Sequence, residues 1–240
     1  MLHRAADVAK LDVVLASQSP RRLELLARLG ITHPRVVPST FAEDLPKGAF
    51  AAPAEYCAAT ARAKLCEVWC RLRRDTATPL PDLVIGADSI VVSPTGEIFE
   101  KAESAAEAAR MLTSLSGRTH QVITVLVLRM PSRRAAGGAA ERAAEPDADA
   151  DADSREIVEV STTDVTFADV APAEVAAYAA GHEAAWRGKA GAYGIQDVAA
   201  QYVAAIRGDF YTVMGLPVQR CAAALAAAFD RGWLPTSAAP

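Results

Sequence analysis

The sequence predicts an α/β fold in which helices flank a mixed β-sheet. Two observations lead to this class. Apolar runs typical of buried strands mix with helical segments, without the strict strand–helix–strand order of a doubly wound parallel sheet. The turn cluster SPTGE, at residues 93–97, separates two short apolar runs and predicts a β-hairpin. A sheet that contains hairpins is therefore favoured over a purely parallel one.

In the first half of the chain, the apolar run DVVLA predicts a buried strand over residues 12–16. In the following stretch, LASQSPRRLELL, Ser19 is placed as a helix N-cap and Pro20 as the first helical residue. Gly30 ends this helix. The next predicted elements are a short strand at residues 35–38, a long alanine-rich helix at 53–73, and a hairpin of strands 90–92 and 98–100.

The second half mixes helices and strands in the same irregular way. The SAAE sequence at residues 104–107 fits a capping box and opens a helix, which SG at residues 116–117 ends. The remaining predicted elements are strands at 121–129 and 156–167, a helix at 172–180, a strand at 201–206 and a helix at 217–229.

The segment between the two β-rich runs has a different composition. Residues 134–154 alternate Asp with Ala over part of their length and contain almost no bulky apolar side chains. Such a segment cannot bury enough apolar surface to offset its ordering entropy, so we predict a disordered insertion there. An acidic metal-binding arm is the alternative, although nothing in the sequence arranges its carboxylates. We expect a single domain over residues 1–240 that carries this insertion.

The overall charge argues against nucleic-acid binding. The chain has 25 Lys and Arg against 29 Asp and Glu, a formal net charge of −4, whereas proteins that bind nucleic acid through bulk electrostatics are usually basic. A site for an anion must therefore be local. The first turn of the helix after residue 19 carries Arg21 and Arg22. Because a helix N-terminus already has positive potential, two cations there indicate a bound anion.

Cysteine usage and apolar segments bear on the compartment. Cys57, Cys66, Cys70 and Cys221 form no CxxC pair, and we expect buried free thiols. No apolar leader precedes the first strand, and no run approaches the roughly 18 apolar residues of a membrane span. We therefore expect a soluble, cytoplasmic protein without a membrane partner.

Four polar residues could carry chemistry, although each also has an ordinary explanation. Asp88 interrupts an apolar run, so its carboxylate must lie at a strand end, be paired or bind a metal, because burying it alone is costly. A turn-forming aspartate is the alternative. Lys101 at a strand end and Lys64 in a helix fit solvated side chains, and Glu43 fits a polar loop. None of these residues decides the function alone.

Gln196 ends the segment GKAGAYGIQ, in which three glycines within seven positions indicate tight backbone or close approach to a ligand. An amide donates and accepts hydrogen bonds, which suits the edge of a nucleobase. An ordinary glycine-rich connection remains open. His120 has no suitably spaced His or Cys for a zinc site, so we expect a structural role. The motifs GxxxxGK[ST], HExxH, GxSxG and GxGxxG are missing, which argues against the common sites that they mark.

Six segments together resemble the Maf family of nucleotide pyrophosphatases, also called septum-formation inhibitors. They are LASQSPRRLELL, GADSIVV, EKAESAAEAARMLTSLSGRTHQVIT, TTDVTF, GKAGAYGIQ and GLPV, and they follow the family order over residues 15–218. The resemblance implies an α/β fold similar to inosine-triphosphate pyrophosphatases, with two lobes around a cleft. It also implies hydrolysis of a nucleoside triphosphate to the monophosphate and pyrophosphate, with Mg²⁺ or Mn²⁺ as cofactor.

The resemblance also implies roles for individual residues. The catalytic positions are Asp88, Lys101, Lys64 and Glu43; the substrate-binding positions are Ser17, Arg21, Arg22, Ser89 and Gln196; and the metal would be held by Glu43 and Asp88. The anion indicated by the two arginines would then be a triphosphate. The chain departs from the family pattern at three positions, with Ala102 for the common Pro, Ser89 for Thr and Asp197 for Gly.

Gln196 also bears on which substrate the resemblance implies. One branch of the family acts on dTTP and UTP, and a second branch, which acts on 7-methyl-GTP, tends to have Glu at this position. Uracil and thymine present an N–H donor beside carbonyl acceptors, which a glutamine amide can match. We therefore expect dTTP and UTP as substrates. The alternatives are 7-methyl-GTP and a non-catalytic, nucleotide-binding regulator of cell division, and the sequence leaves a homodimer open.

Overall fold

The computed structural model describes residues 1–132 and 154–236. In these residues the strands are β1 (Val13–Leu15), β2 (Arg35–Val36), β3 (Leu83–Val92), β4 (Ile98–Phe99), β5 (Thr119–Pro131), β6 (Ser154–Phe167) and β7 (Val203–Arg207). The α-helices are α1 (Ala5–Val8), α2 (Pro20–Ala27), α3 (Pro53–Arg74), α4 (Ala105–Leu115), α5 (Pro172–Gly181), α6 (Glu183–Trp186), α7 (Phe210–Met214) and α8 (Val218–Asp230). Short 3-10 turns cover Leu2–Arg4, Lys47–Ala49 and Val198–Tyr202.

The described strands form one mixed sheet. Its order is β2-β1-β3-β5-β6-β7, and β4 pairs with β3 outside this path. Strand β1 is parallel to β2 and β3, whereas β3, β5, β6 and β7 are joined by antiparallel pairing. Strands β3 and β4 form an antiparallel hairpin around the predicted turn. The mixed α/β class expected from the sequence is confirmed.

Strand β3 separates two hydrophobic cores because successive side chains point to opposite faces of the sheet. Val84 and Ile90 pack on one face, against the α3 side chains Leu65 and Trp69. Ile85 packs on the other face, in the core that includes α2 and α8. A third core is formed by side chains of α4, of α5 and of the residues that follow α5. Adjacent residues of β3 can therefore contribute side chains to one site from opposite faces of the sheet.

Several sequence predictions need correction at element level. The hairpin strand expected over residues 90–92 begins earlier, at Leu83, and therefore contains Asp88. Ser19 occupies the N-cap of α2, but its side chain makes no capping hydrogen bond. The strand expected from residue 201 begins at Val203, because the preceding residues form a 3-10 turn. Helix α7 was not predicted.

The predicted insertion lies mostly outside the described residues. Its last residue, Ser154, is the exception, because it opens β6 and pairs with Pro131 at the end of β5. The two β-rich runs on either side form the long antiparallel pair β5–β6. Across the described parts of the chain, no helix combines the length and apolar character needed to cross a membrane.

Candidate active site

A cleft of about 670 Å³ opens beside β3 and contains every site residue expected from the sequence. The turn between β1 and α2 forms one wall, and the segment from residue 184 to residue 196 forms another. The predicted residues in its lining are Ser17, Arg21, Arg22, Glu43, Lys64, Asp88, Ser89, Lys101 and Gln196. The fold thus brings together side chains separated by up to about 180 positions.

Arg22 is held rigidly at the start of α2. Its Nη1 donates to Ser17 Oγ at 3.0 Å, its Nε donates to the carbonyl of Gly215 at 2.8 Å, and its Nη2 donates to Ser89 Oγ at 3.3 Å. Burial lowers the pKa of Arg22, although an arginine remains a cation at neutral pH. Burial also lowers the pKa of the neighbouring Arg21, and the negative charge of Asp197 opposes this effect. This end of the cleft therefore presents a fixed positive charge.

Asp88 and Ser89 project from β3 toward opposite sides of the sheet. Asp88 is buried and faces α3, where its Oδ1 accepts a hydrogen bond from Lys64 Nζ at 2.6 Å. Its Oδ2 accepts a weaker bond from Cys57 Sγ at 3.7 Å. A carboxylate inside a strand is tolerated here because it is paired, one of the possibilities that the sequence left open. Burial, followed by the charge of Asp88, raises the pKa of the Cys57 thiol well above its ordinary value.

Charges of opposite sign alternate across the cleft from Asp88 to Lys101. Lys64 Nζ lies 2.6 Å from Asp88 Oδ1 and 2.6 Å from Glu43 Oε2, and Glu43 Oε1 lies 2.8 Å from Lys101 Nζ. Burial opposes ionisation of Glu43, but the hydrogen bonds from Lys101 and Lys64 bring its pKa below the ordinary value. Glu43 also has a φ of 56°, which is uncommon for a residue other than glycine. These four side chains form a tightly connected cluster, which we call the charged relay.

The charged relay also bears on the expected metal ion. Glu43 and Asp88 approach the same ammonium group, so their carboxylates converge. Among the described residues, no group of three or more His, Cys, Asp and Glu side chains is placed to hold a metal. Two carboxylates fit a cation such as Mg²⁺ that takes its other ligands from substrate phosphates and water. They do not fit a cage made entirely of protein ligands.

A glycine-rich loop closes the opposite wall of the cleft. Ala190 pairs with Lys101 in an isolated antiparallel bridge, and the amide of Gly191 donates to the carbonyl of Glu100 at 3.0 Å. Gly191 has a φ of +67°, and a Cβ there would lie 2.7 Å from a methyl group of Val91, so only glycine fits. Gln196 ends this loop with an exposed side chain on the cleft wall.

His120 contacts the same loop through Tyr193. It is buried, and its Nε2 lies 2.8 Å from the hydroxyl oxygen of Tyr193, which lines the cleft. Burial lowers the pKa of His120 to about 4. This environment agrees with the structural role expected from the sequence.

Two buried residues that contact the predicted site residues were not identified from the sequence. Thr124 is fully buried, and its hydroxyl donates to the carbonyl of Thr212 at 2.8 Å. Its oxygen also lies 2.8 Å from Ser89 Oγ, directly across the β3–β5 pair. Because the only hydroxyl hydrogen of Thr124 is already used, Ser89 donates to Thr124. A polar residue within the apolar run of β5 was the available signal.

Cys57 is the second missed residue. It lies about two turns before Lys64 on α3, and both side chains reach Asp88. That spacing places the two residues near the same face of the helix. This spacing is visible in the sequence, but it could be interpreted only once the structure showed that the two side chains meet Asp88.

Comparisons with known proteins show which family this chain resembles. The family described as Maf-like protein matches residues 12–228. The dTTP/UTP pyrophosphatase of Roseobacter denitrificans is 36% identical over 219 residues, which cover 91% of this chain and 98% of that protein. The dTTP/UTP pyrophosphatase of Escherichia coli K12 is 37% identical over 209 residues, covering 86% and 88% respectively.

A third relative is much longer. A human protein described as a probable bifunctional dTTP/UTP pyrophosphatase/methyltransferase is 39% identical over 207 residues, or 86% of this chain. The match spans only 30% of the human protein's length. The family match extends from β1 to the last helix and includes every residue of the cleft described above. On this match and these identities, the chain belongs to the Maf family.

Proposed function

We propose that this chain is a nucleoside triphosphate pyrophosphatase that hydrolyses dTTP and UTP to the monophosphate and pyrophosphate. The observation that carries this proposal is the charged relay, placed in one cleft with the anchored guanidinium of Arg22. A polyanion is the ligand that such a cleft suits best. The names of the bacterial relatives, which match nearly the whole chain, support the choice of nucleotide.

The positive end of the cleft binds the triphosphate in this proposal. Arg21 and Arg22 supply charge beside the N-terminus of α2, where unpaired backbone N–H groups also favour an anion. Arg22 already donates to Gly215, Ser17 and Ser89, so its main contribution is a fixed positive charge at a set position. Arg21 is the more adaptable of the two and can turn toward a phosphate oxygen.

The reaction is attack of water on the α-phosphorus. Asp88 accepts a proton from the water, the new oxygen–phosphorus bond forms, and the bond from the α-phosphorus to the α,β-bridging oxygen breaks. Pyrophosphate leaves with the electron pair of that bond. Lys64 and Lys101 offset the negative charge that increases on the phosphate oxygens as the bond breaks. Lys64 and Cys57 hold the carboxylate of Asp88 in a set orientation at the cleft.

A divalent cation, Mg²⁺ or Mn²⁺, belongs to the same proposal. Glu43 and Asp88 would hold it, as the convergence of their carboxylates on one point supports. When bound, such a cation neutralises phosphate charge and polarises the phosphoryl group.

Gln196 recognises the base in this proposal, because its amide can accept from the N3–H of uracil or thymine and donate to a neighbouring carbonyl. The cytoplasm is the proposed compartment, and the four free thiols support a reducing environment.

The experiment that tests the proposal is pyrophosphate release from a nucleotide panel, with and without Mg²⁺ or Mn²⁺. The panel contains dTTP, UTP, CTP, GTP and 7-methyl-GTP. We expect cation-dependent release of pyrophosphate, fastest from dTTP and UTP. Binding of nucleotide without turnover would favour the non-catalytic regulator, and preference for 7-methyl-GTP would place the chain in the other branch.

A further inference from the structure

An ion pair closes the loop that ends at Gln196. Lys189, at the start of this loop, is buried, and its Nζ donates to the carbonyls of Ala185 at 2.6 Å and Ala184 at 3.0 Å. The same ammonium pairs with the carboxylate of Asp197 at the end of the loop. The lysine is thus fixed to helix α6, and the aspartate is fixed to the lysine.

The backbone of the loop is shaped to admit this carboxylate. The amide of Asp197 donates to the carbonyl of Gly194 at 3.0 Å, which forms a tight turn. A Cβ at Gly194 would overlap the carboxylate oxygen of Asp197, so the glycine leaves room for this carboxylate in its observed position. The side chain of Asp197 therefore folds back over the loop, beside Gln196.

Contacts with neighbouring elements hold the first part of the loop, and Ile195, directly before Gln196, packs into a hydrophobic core. Ala190 pairs with Lys101, Ala192 accepts from the hydroxyl of Tyr178 at 3.2 Å, and Tyr193 contacts His120. Within the described residues, the Lys189–Asp197 ion pair is the polar side-chain contact that links the end of the loop to its beginning. Gln196 is exposed, so its direction depends on how that end is held.

We propose that the Lys189–Asp197 ion pair is a clamp that positions Gln196 for the base in this chain, and so strengthens its binding of uracil and thymine nucleotides. This inference rests on the proposed function. The clamp acts through Gln196, and within the described residues neither of its two side chains hydrogen-bonds to the charged relay. Breaking it leaves Lys189 buried with one fewer partner, which is destabilising. It also releases the side chain of Asp197 and so loosens residues 196 and 197, which follow the packed Ile195.

The clamp predicts an effect that differs between the two ends of a nucleotide. Releasing the loop weakens contacts to the base. It does not weaken contacts to the phosphates, because the negative charge of Asp197 acts on Arg21 as well as on Lys189. Neutralising Asp197 therefore leaves phosphate binding equal or stronger.

The test is calorimetric binding of a non-hydrolysable α,β-imido analogue of dUTP and of inorganic tripolyphosphate. Asp197→Asn keeps the shape of the side chain and removes its charge. We expect this variant to raise the Kd for the dUTP analogue about tenfold, while the Kd for tripolyphosphate stays within about twofold or falls. Glu97→Gln is the matched control, because it breaks an exposed pair with Arg110 outside the cleft. It should change neither value.

The double variant Lys189→Met, Asp197→Asn tests the pairing itself. If the two residues act as one clamp, the double variant binds the dUTP analogue no more weakly than the worse single variant. Should Lys189→Met fail to fold, Asp197→Asn decides alone, because its side chain is 39% exposed. An unchanged Kd for the dUTP analogue in Asp197→Asn, or equal weakening of both ligands, overturns the clamp.

These measurements need no turnover, so the two proposals can fail separately. A chain that binds the dUTP analogue selectively but releases no pyrophosphate would overturn the proposed function and leave the clamp intact. Normal pyrophosphate release with no effect of Asp197→Asn on binding would do the reverse.

Discussion

The ammonium of Lys64 lies 2.6 Å from the carboxylate of Asp88, which occupies a buried position inside strand β3. Neither group is stable alone in that position, because a buried charge without a partner is strongly destabilising. Glu43 and Lys101 extend the pairing toward the open cleft. The arrangement lets the protein keep two carboxylates and two ammonium groups close together, ready for a polyanionic substrate.

Asp88→Asn should abolish turnover and leave the fold intact. The amide keeps the shape of the side chain, but it can neither accept the proton from water nor hold a cation, which lowers the rate by about 10²–10⁴. Lys64 stays paired with Glu43, so we expect no large loss of stability. Steady-state kinetics and thermal melting check the two effects, with the exposed Asp44→Asn as control. Near-normal turnover of Asp88→Asn would remove Asp88 from the mechanism.

Gln196→Glu should alter the ranking of substrates more than the maximal rate. The carboxylate cannot donate and faces the carbonyl oxygens of the base, and a mismatched polar contact costs about 1–3 kcal/mol, or roughly ten- to a hundredfold in kcat/KM. The measurement is kcat/KM for dTTP, UTP and 7-methyl-GTP. If the ranking of the three nucleotides is unchanged, Gln196 does not recognise the base.

Thr124→Val should weaken catalysis from behind the site. Valine has nearly the same shape but removes the oxygen that accepts from Ser89, so the Ser89 hydroxyl that contacts Arg22 loses its fixed direction. We expect kcat/KM to fall about tenfold, consistent with the loss of one buried hydrogen bond.

Rescue of Thr124 by a conservative variant separates positioning from packing. Thr124→Ser restores the hydroxyl and should recover most of the activity. Thr113→Val removes a threonine hydroxyl that bonds within helix α4, away from the cleft, and should have no effect on activity. Full activity of Thr124→Val would mean that Ser89 needs no support from β5.

Stability should depend on pH through His120. The ordinary pKa of 6.5 falls to about 4 in the fold because of burial, so between these values the unfolded chain binds a proton that the folded chain does not. The free energy of unfolding therefore decreases by about 1.4 kcal/mol per unit as pH falls from 6.5 to 4, and this effect is absent above pH 6.5. Urea unfolding at several pH values measures the slope. In His120→Phe the slope should be smaller by this amount, and an equal slope in both proteins would contradict the assignment.

Removal of residues 134–153 should leave the fold and the activity nearly unchanged. Pro131 and Ser154 are paired neighbours at the end of the β5–β6 ladder, so a short glycine-containing turn can join the two strands. Melting temperature and turnover are the measurements. A longer deletion that also removes Arg129 and Glu156, which pair at 2.7 Å, should destabilise the protein. A large loss from the shorter deletion would show that the segment packs or takes part in the reaction.

Local patterns were sufficient for much of this fold. The apolar run of β3, the SPTGE turn and the alanine-rich α3 each produced the predicted element, because periodicity and turn chemistry act over a few residues. Helix α7 was missed although Asp209 caps it through the amides of Tyr211 and Thr212. A capping aspartate before a helix of only five residues is a weak sequence signal, because the chain contains many other short apolar segments.

The pairing inside the site could not be predicted from local patterns. Lys64 meets Asp88 only because α3 packs against β3 in one particular register, and that register is set by side chains such as Leu65 and Trp69. All the side chains that the family resemblance implied line one cleft. The resemblance did not indicate the support from Thr124 and Cys57, or the clamp formed by Asp197.

The most direct test of the proposed reaction is hydrolysis of dTTP in water enriched in ¹⁸O, followed by mass spectrometry of the products. Attack at the α-phosphorus places the new oxygen in dTMP, so we expect one ¹⁸O atom in dTMP and none in pyrophosphate. The Asp88→Asn variant should give neither labelled product above background. Orthophosphate as the first product, or the label in pyrophosphate with unlabelled dTMP, would contradict the account of a pyrophosphatase that acts at the α-phosphorus.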